Sequence, residues 1–278
     1  MKIVKLFLVF ISLMACVFAL GLFGYYKGWH IDKYEPVQLS QLLTPGYEIF
    51  TPSDQGPYPT VVGFHGCSGM LEGNRDWARF LRSLGYAVVL VDSMSFRNLD
   101  WPAVCAGETL WGSERAGDVI AAVQDVRQMR FVDPQKIILM GWSHGGWTLM
   151  DVLALVSDGK KPTNLTHVPA NALDGVIGSV LFYPFCAFPA VSRDGWTLKL
   201  PTHFVFAEKD SVVPNAACYE VIDKLWADKH PVTYYTYEGI DHAFDMRTSD
   251  FYEGTLQNVP DATLAARKHI AAWLEALR

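Results

Sequence analysis

The sequence predicts an α/β protein: a mostly parallel central sheet with helices on both faces, preceded by an N-terminal apolar helix. Three observations carry this. Short apolar runs such as Thr60-Val61-Val62-Gly63-Phe64 and Ile137-Ile138-Leu139-Met140 lack polar alternation, as strands buried on both faces do. Segments of helical periodicity separate these runs, and strands alternating with helices build parallel sheets. The chain has 278 residues, 50% of them apolar, enough to bury the core that such a sheet needs. The expected organisation is a membrane anchor or signal segment over 1–27, a connector over 28–45 and a single large domain over 46–278.

Residues 6–26 contain no charged side chain, with Lys2 and Lys5 before them and Lys27 after. That span is long enough for one transmembrane helix. An uncleaved anchor is the favoured reading; a cleaved signal, with Ala19-Leu20-Gly21 as the small-residue site, comes second, and a lipid anchor processed near Leu13-Met14-Ala15-Cys16 third, because the apolar run continues past Cys16. All three export the rest of the chain, and the first lysines favour leaving that end in the cytoplasm. The expectation is a membrane-anchored or secreted protein whose large domain lies outside the cytoplasm, periplasmic in a bacterium. Cysteine usage agrees. Beyond the leader there are four, Cys67, Cys105, Cys186 and Cys218. In an oxidising compartment they suggest two disulfides, with three pairings open and ordinary buried thiols as the alternative. No C-x-x-C spacing points to zinc, and no metal or organic cofactor is implied. The net charge of -6, with basic residues scattered, leaves no footprint for nucleic acid.

After the polar connector, residues 47–51 read as an edge strand and 53–57 as a turn. The strand at 60–64 ends in His65-Gly66-Cys67-Ser68-Gly69. A helix over 74–84 and a strand over 86–91 follow, closing on Asp92-Ser93, and then a longer loop through Asp100-Trp101-Pro102 that carries Cys105. Val119, Ala122, Val123 and Val126 recur at helical spacing within 113–129, where Arg115 and Asp118 read as a solvated or buttressing i,i+3 pair. Further strands are expected over 137–140, 176–183, 202–206 and 232–237, and helices over 147–156, 215–228 and 261–277.

Gly141-Trp142-Ser143-His144-Gly145 fits G-x-S-x-G at the junction of a buried strand and a helix. A nucleophilic serine at a sharp strand-to-helix turn needs small neighbours, because the backbone there is strained and adjacent elements approach closely. Serine is a poor nucleophile near neutral pH, so a histidine must take its proton and a carboxylate must fix that histidine. The chain order serine, acid, histidine is met by Ser143, Asp210 and His242, each in a loop after an expected strand. Among the other histidines, His30 lies in the connector, His203, His230 and His269 lie on or beside regular elements, and His167 precedes the acid. His65 and His144 sit where the backbone matters more than the side chain. Asp241 and Asp245 stand too close to His242 in sequence to reach its ring easily, and Glu208 competes with Asp210. Trp101, Trp142, Phe185 and Phe244 fit either an apolar pocket or the core.

The strand with HG-x-x-G, the G-W-S-H-G-G elbow, the strand leading into E-K-D-S-V-V-P, and D-H-A-F together resemble the dienelactone hydrolase family of the α/β-hydrolase superfamily, from residue 47 to the C-terminus. The resemblance implies the α/β-hydrolase fold with an eight-stranded type of sheet. It implies a triad of Ser143, Asp210 and His242, and oxyanion donors from the N–H groups of His144 and Cys67. The activity it implies is a serine hydrolase cleaving a small carboxylic ester or lactone through an acyl-enzyme. The family's name-giving enzymes use cysteine where this chain has Ser143, so their lactone is not carried over. Similar exported members carry cysteines near these positions, which implies the pairs Cys67–Cys105 and Cys186–Cys218. Two other readings are a serine peptidase of prolyl-oligopeptidase type, for which no propeller domain is visible, and a catalytically inert binding protein on the same fold.

Overall fold

A computed structural model describes residues 2–26, 31–53, 55–251 and 255–277. It divides into two compact units, Met1–Lys33 and Tyr34–Arg278. The first holds α1 (Lys2–Tyr26), a helix of 25 residues. Its side chains are described over 10–24, and the large apolar ones, Phe10, Leu13 and Phe18 among them, are exposed. Over the described residues no helix is long and apolar enough to cross a membrane. Lys27, His30 and the expected boundary between leader and connector lie outside the described residues.

The second unit is built on a seven-stranded sheet: β1 (Tyr47–Phe50), β2 (Tyr58–Phe64), β3 (Ala87–Val91), β4 (Val132–Trp142), β5 (Val176–Phe182), β6 (Thr202–Ala207) and β7 (Val232–Tyr237). The order is β1-β3-β2-β4-β5-β6-β7. Among the described strands only the β1–β3 pairing is antiparallel, and β1 stands at the end of the sheet, the edge the sequence suggested. The sheet is therefore mostly parallel as expected, but has seven described strands where the family resemblance implied eight. Residues ahead of β1 go into a helix instead.

That helix, α2 (Pro36–Leu43), corrects the reading of 28–45 as a plain connector. Leu39 and Leu43, one turn apart, are fully buried. Ser40 Oγ and Tyr47 Oη both donate to Asp125, at 2.6 and 2.7 Å. Two leucines at i and i+4 are enough to seat a short helix on a larger one, a signal that the polar residues around them obscured.

The strands are buried on both faces because helices cover both. On one side lie α3 (Glu72–Ser83) and α8 (Pro260–Glu275), whose Trp77, Leu81, Ile270 and Leu274 pack with Val61, Val88 and Ile138. On the other lie α2, α5 (Gly112–Val126), α6 (His144–Ser157) and α7 (Ala216–Ala227), packing on the alternate positions Val62, Val89 and Leu139. Each such side chain contributes about 1.5–3 kcal/mol of burial. Most expected boundaries shift by a residue or two. β4 starts earlier than its apolar run, because 133–136 are exposed or half-buried and carry no hydrophobic signal. The loop after β3 contains a short helix, α4 (Trp101–Cys105), with Pro102 in its first turn.

Both cysteine pairs form as the resemblance implied. Cys67–Cys105 ties the loop after β2 to α4, and Cys186–Cys218 ties the loop after β5 to α7. They close loops of 38 and 32 residues, worth roughly 3–4 kcal/mol each in the chain-entropy account. The same loop after β5 is held a second time by Asp151 of α6, which accepts from Ser192 N–H at 3.0 Å and Ser192 Oγ at 2.7 Å.

Asp151 is fully buried, and desolvation pushes its pKa up to about 7 despite those hydrogen bonds. The folded state therefore binds a proton that the unfolded chain has released, over the window from about pH 4 to pH 7. Stability falls as pH rises through that window and is lowest above it, by up to roughly 4 kcal/mol from this group. Asp151→Asn keeps an acceptor for Ser192 and removes the charge. Denaturant unfolding from pH 4 to 8 should show a flatter profile for the variant and greater stability than the parent at pH 8; parallel profiles would show that Asp151 ionises freely.

Candidate active site

Everything at the site converges on the turn from β4 into α6. Ser143 occupies it with φ +50° and ψ -113°, a left-handed conformation rare for a residue with a Cβ. Its N–H donates to Phe182 O at 2.8 Å, which fixes the turn to the end of β5. The glycines on either side answer a steric demand. A Cβ on Gly141 would stand 2.6 Å from the Gly145 carbonyl group, and one on Gly145 would overlap the Phe64 carbonyl oxygen at the end of β2.

The geometry brings together the three side chains singled out from the sequence. Ser143 Oγ lies 3.0 Å from His242 Nε2, and His242 Nδ1 lies 2.7 Å from Asp210 Oδ2. Both the His242 and Asp210 side chains are almost wholly buried. Asp210 Oδ1 accepts from the N–H groups of Val212 and Val213, at 3.0 and 2.7 Å, so the carboxylate is fixed by its own loop. The competing acids have other work. Asp241 accepts from Ser211 N–H, Ser211 Oγ and His242 N–H, clipping the loop after β7 to the loop after β6. Glu208 accepts from Gly239 N–H at 2.7 Å.

His144 begins α6, where the first N–H groups have no partner within the helix. Cys67 lies in the loop after β2 that faces it, and both Cys67 and Ser143 line one cavity of about 970 Å³. Gly66 abuts the turn closely: a Cβ there would stand 3.6 Å from Ser143 Cβ. His65 holds this loop as a neutral ring, with Nδ1 2.6 Å from Gly66 O as donor and Nε2 accepting from Ser93 N–H at 3.2 Å. Burial, with the Arg115 charge nearby, lowers its pKa and keeps it neutral.

Arg115 was expected to be a solvated or buttressing partner of Asp118, and it proves more deeply placed. It is fully buried, and its Nη1 donates to His65 O at 2.8 Å and His144 Nδ1 at 3.2 Å, bracing the loop after β2 against the turn. Burial pushes its pKa down to about 10, still charged at neutral pH. Burial, then the Arg115 charge, drives His144 well below the usual histidine range, so it accepts as a neutral ring. Asp118 instead takes both ends of Arg97, at 2.9 and 2.8 Å.

Sequence reasoning missed the other support. Asp245 is buried and accepts from Trp77 Nε1 at 2.7 Å, Trp142 Nε1 at 3.2 Å and Tyr183 Oη at 2.7 Å. The Tyr183 ring in turn packs against His242, centroids 4.5 Å apart. Burial raises both the Asp245 and the Tyr183 pKa, so the tyrosine stays a donor. The D-H-A-F-D order hid this, because Asp245 is separated from its partners by 62 residues or more in sequence. Of the four aromatic residues weighed as pocket lining, Trp101 and Trp142 do line the cavity. Phe244 is core, and Phe185 packs on Trp147.

Helix propensity alone would make Gly145→Ala stabilising by about 1 kcal/mol. The overlap with Phe64 O reverses the sign: the variant should lose at least roughly 2 kcal/mol in denaturant unfolding, and a gain in stability would show that the turn has slack.

The chain is similar to known proteins over most of this unit. Residues 75–158 match the prolyl oligopeptidase family and residues 163–277 the dienelactone hydrolase family. Protein usf of Aquifex pyrophilus is 28% identical over 135 residues, 48% of this chain and 50% of that protein. A provisionally named carboxymethylenebutenolidase of Aquifex aeolicus is 25% identical over 134 residues, again 48% and 50%. The chain thus spans about half the length of the curated relatives it matches. A thermophilic esterase of Thermogutta terrifontis, Est2, superposes with a TM-score of 0.59 at 20% identity, covering 83% of this chain and 86% of that one. With this sheet order, this strand-to-helix turn and these matches, the chain has the α/β-hydrolase fold and is similar to the prolyl oligopeptidase family over residues 75–158 and to the dienelactone hydrolase family over residues 163–277.

Proposed function

We propose that the chain is a serine hydrolase that cleaves carboxylic esters through an acyl-enzyme, with Ser143, His242 and Asp210 as its triad. The observation that carries it is the continuous line from Ser143 Oγ through both ring nitrogens of His242 to Asp210, at 3.0 and 2.7 Å. Ser143 Oγ attacks the carbonyl carbon as His242 Nε2 takes its proton. Asp210, acceptor for Nδ1–H, holds the tautomer and offsets the imidazolium charge. The oxyanion meets the N–H groups of His144 and Cys67, a contribution of roughly 3–4 kcal/mol per donor in comparable sites. Collapse expels the alcohol, which leaves with the proton from His242. Water then gives a proton to His242, attacks the acyl-enzyme and releases the acid, and the proton returns to Ser143.

The dienelactone hydrolase match spans Asp210 and His242 and favours an ester. A second reading has support in the prolyl oligopeptidase match, which spans the turn at Ser143 and favours an amide. The purified chain should hydrolyse a short 4-nitrophenyl ester far faster than a prolyl 4-nitroanilide. Ser143→Ala should lower the ester rate by at least roughly a thousandfold with unfolding unchanged; a rate within tenfold of the parent, or preference for the anilide, would contradict the assignment.

We also propose that the catalytic unit works outside the cytoplasm, held to or released from a membrane by the N-terminal segment. The exposed apolar face of α1 and the two disulfides support it. In the producing cell, the protein should fractionate with membranes or the exported fraction with both disulfides intact, and recovery from the cytosol with free thiols would overturn this.

A further inference from the structure

We propose that the cavity over Ser143 selects uncharged esters with a bulky apolar acyl group and discriminates against esters whose acyl chain ends in a carboxylate. This rests on the ester-hydrolase reading and narrows it to a substrate class.

The first observation is size. About 970 Å³ is at the upper end of small-molecule sites, so an acetyl or propionyl group would leave most of the space unfilled. The second is chemistry. Trp142, Tyr183, Leu71 and Met246 line it near Ser143, Trp101 and Val212 line it further out, and the polar side chains among the rest, such as Ser68, Asn74 and Thr255, are uncharged apart from Asp250 and the His242 ring. Trp101 and Val212 are 54% and 56% exposed, so apolar surface continues outward, ready to cover a substrate chain longer than the inner cavity. The polar groups of Trp142 and Tyr183 are already bonded to Asp245 and turned from the substrate.

The third observation is charge. Among the described residues lining the cavity none is lysine or arginine, and the one carboxylate is Asp250. Asp250 Oδ2 accepts from the N–H groups of Gly73 and Arg247, both at 3.0 Å. The nearby Arg247 guanidinium is engaged elsewhere, by Asp76 at 2.6 and 2.7 Å. A substrate carboxylate entering here would lose water, find no cation and meet Asp250, each of which opposes binding. An alkyl chain entering the same space gains about fourfold per buried methylene.

The test is a set of kcat/KM values for the full chain. With 4-nitrophenyl acetate, butyrate and octanoate, the value should rise at least tenfold from acetate to octanoate. With 4-nitrophenyl methyl adipate and hydrogen adipate, equal in chain length, the neutral ester should be favoured at least tenfold. Leu71→Arg places a cation in the cavity and should raise the hydrogen adipate to methyl adipate ratio at least fivefold. Because ratios are read within one protein preparation, partial misfolding of the variant does not alter them, and the parent enzyme's own two ratios stand without it. Acetate turned over as well as octanoate, or hydrogen adipate as well as its methyl ester, overturns the proposal while leaving the hydrolase reading intact. No turnover of any ester removes that reading, and the substrate class with it.

Discussion

The structure depends on the absence of a loop between β4 and α6. The chain turns from strand to helix on one residue, Ser143, in a backbone conformation that costs on the order of 1–3 kcal/mol. The turn is tolerated only because Gly141 and Gly145 let the helix start, the strand end and the neighbouring β2 carbonyl come within contact of each other. The strain has a product. It lifts the Ser143 hydroxyl clear of the sheet at the carboxyl ends of the strands, where the loops after β6 and β7 bring Asp210 and His242.

Around that turn the protein fixes buried polar groups in pairs and triples. Arg115 braces the His65 carbonyl oxygen and the neutral His144 ring on the side of the loop after β2. Asp245 gathers two tryptophans and Tyr183 on the other side, and Tyr183 backs the His242 ring. Buried polar groups are costly unless partnered, and once partnered they hold one geometry. These networks sit next to Ser143 and His242, and in the proposed mechanism a displacement of an ångström there is most damaging. The disulfides extend the same economy outward: Cys67–Cys105 anchors the loop that faces Ser143, and Cys186–Cys218 the loop that follows β5.

Much of this was legible in the sequence, for identifiable reasons. Buried parallel strands leave continuous apolar runs, and the elbow leaves three glycines around a serine, so the sheet and Ser143 stood out. Asp210 and His242 followed from chain order, since each comes just after a strand whose end is fixed. What escaped was long-range and polar. Asp245 looked like a rejected acid because its donors, Trp77, Trp142 and Tyr183, come from three distant elements. Arg115 reads in sequence as a solvated or buttressing partner of Asp118, and only the packed helix shows it fully buried and bonded to His65 and His144 instead. α2 escaped because two leucines are a faint signal among polar residues, and Phe244 stayed open between pocket and core because burial in either looks alike in sequence.

The proposed hydrolase requires that Ser143 alone among the serines be made nucleophilic by its surroundings. Treating the protein with a fluorophosphonate and mapping the adduct by peptide mass spectrometry tests this most directly. One phosphonyl group on the peptide carrying Ser143, absent after His242→Ala, is the predicted result; an unmodified protein, or an adduct on a different residue, would contradict it.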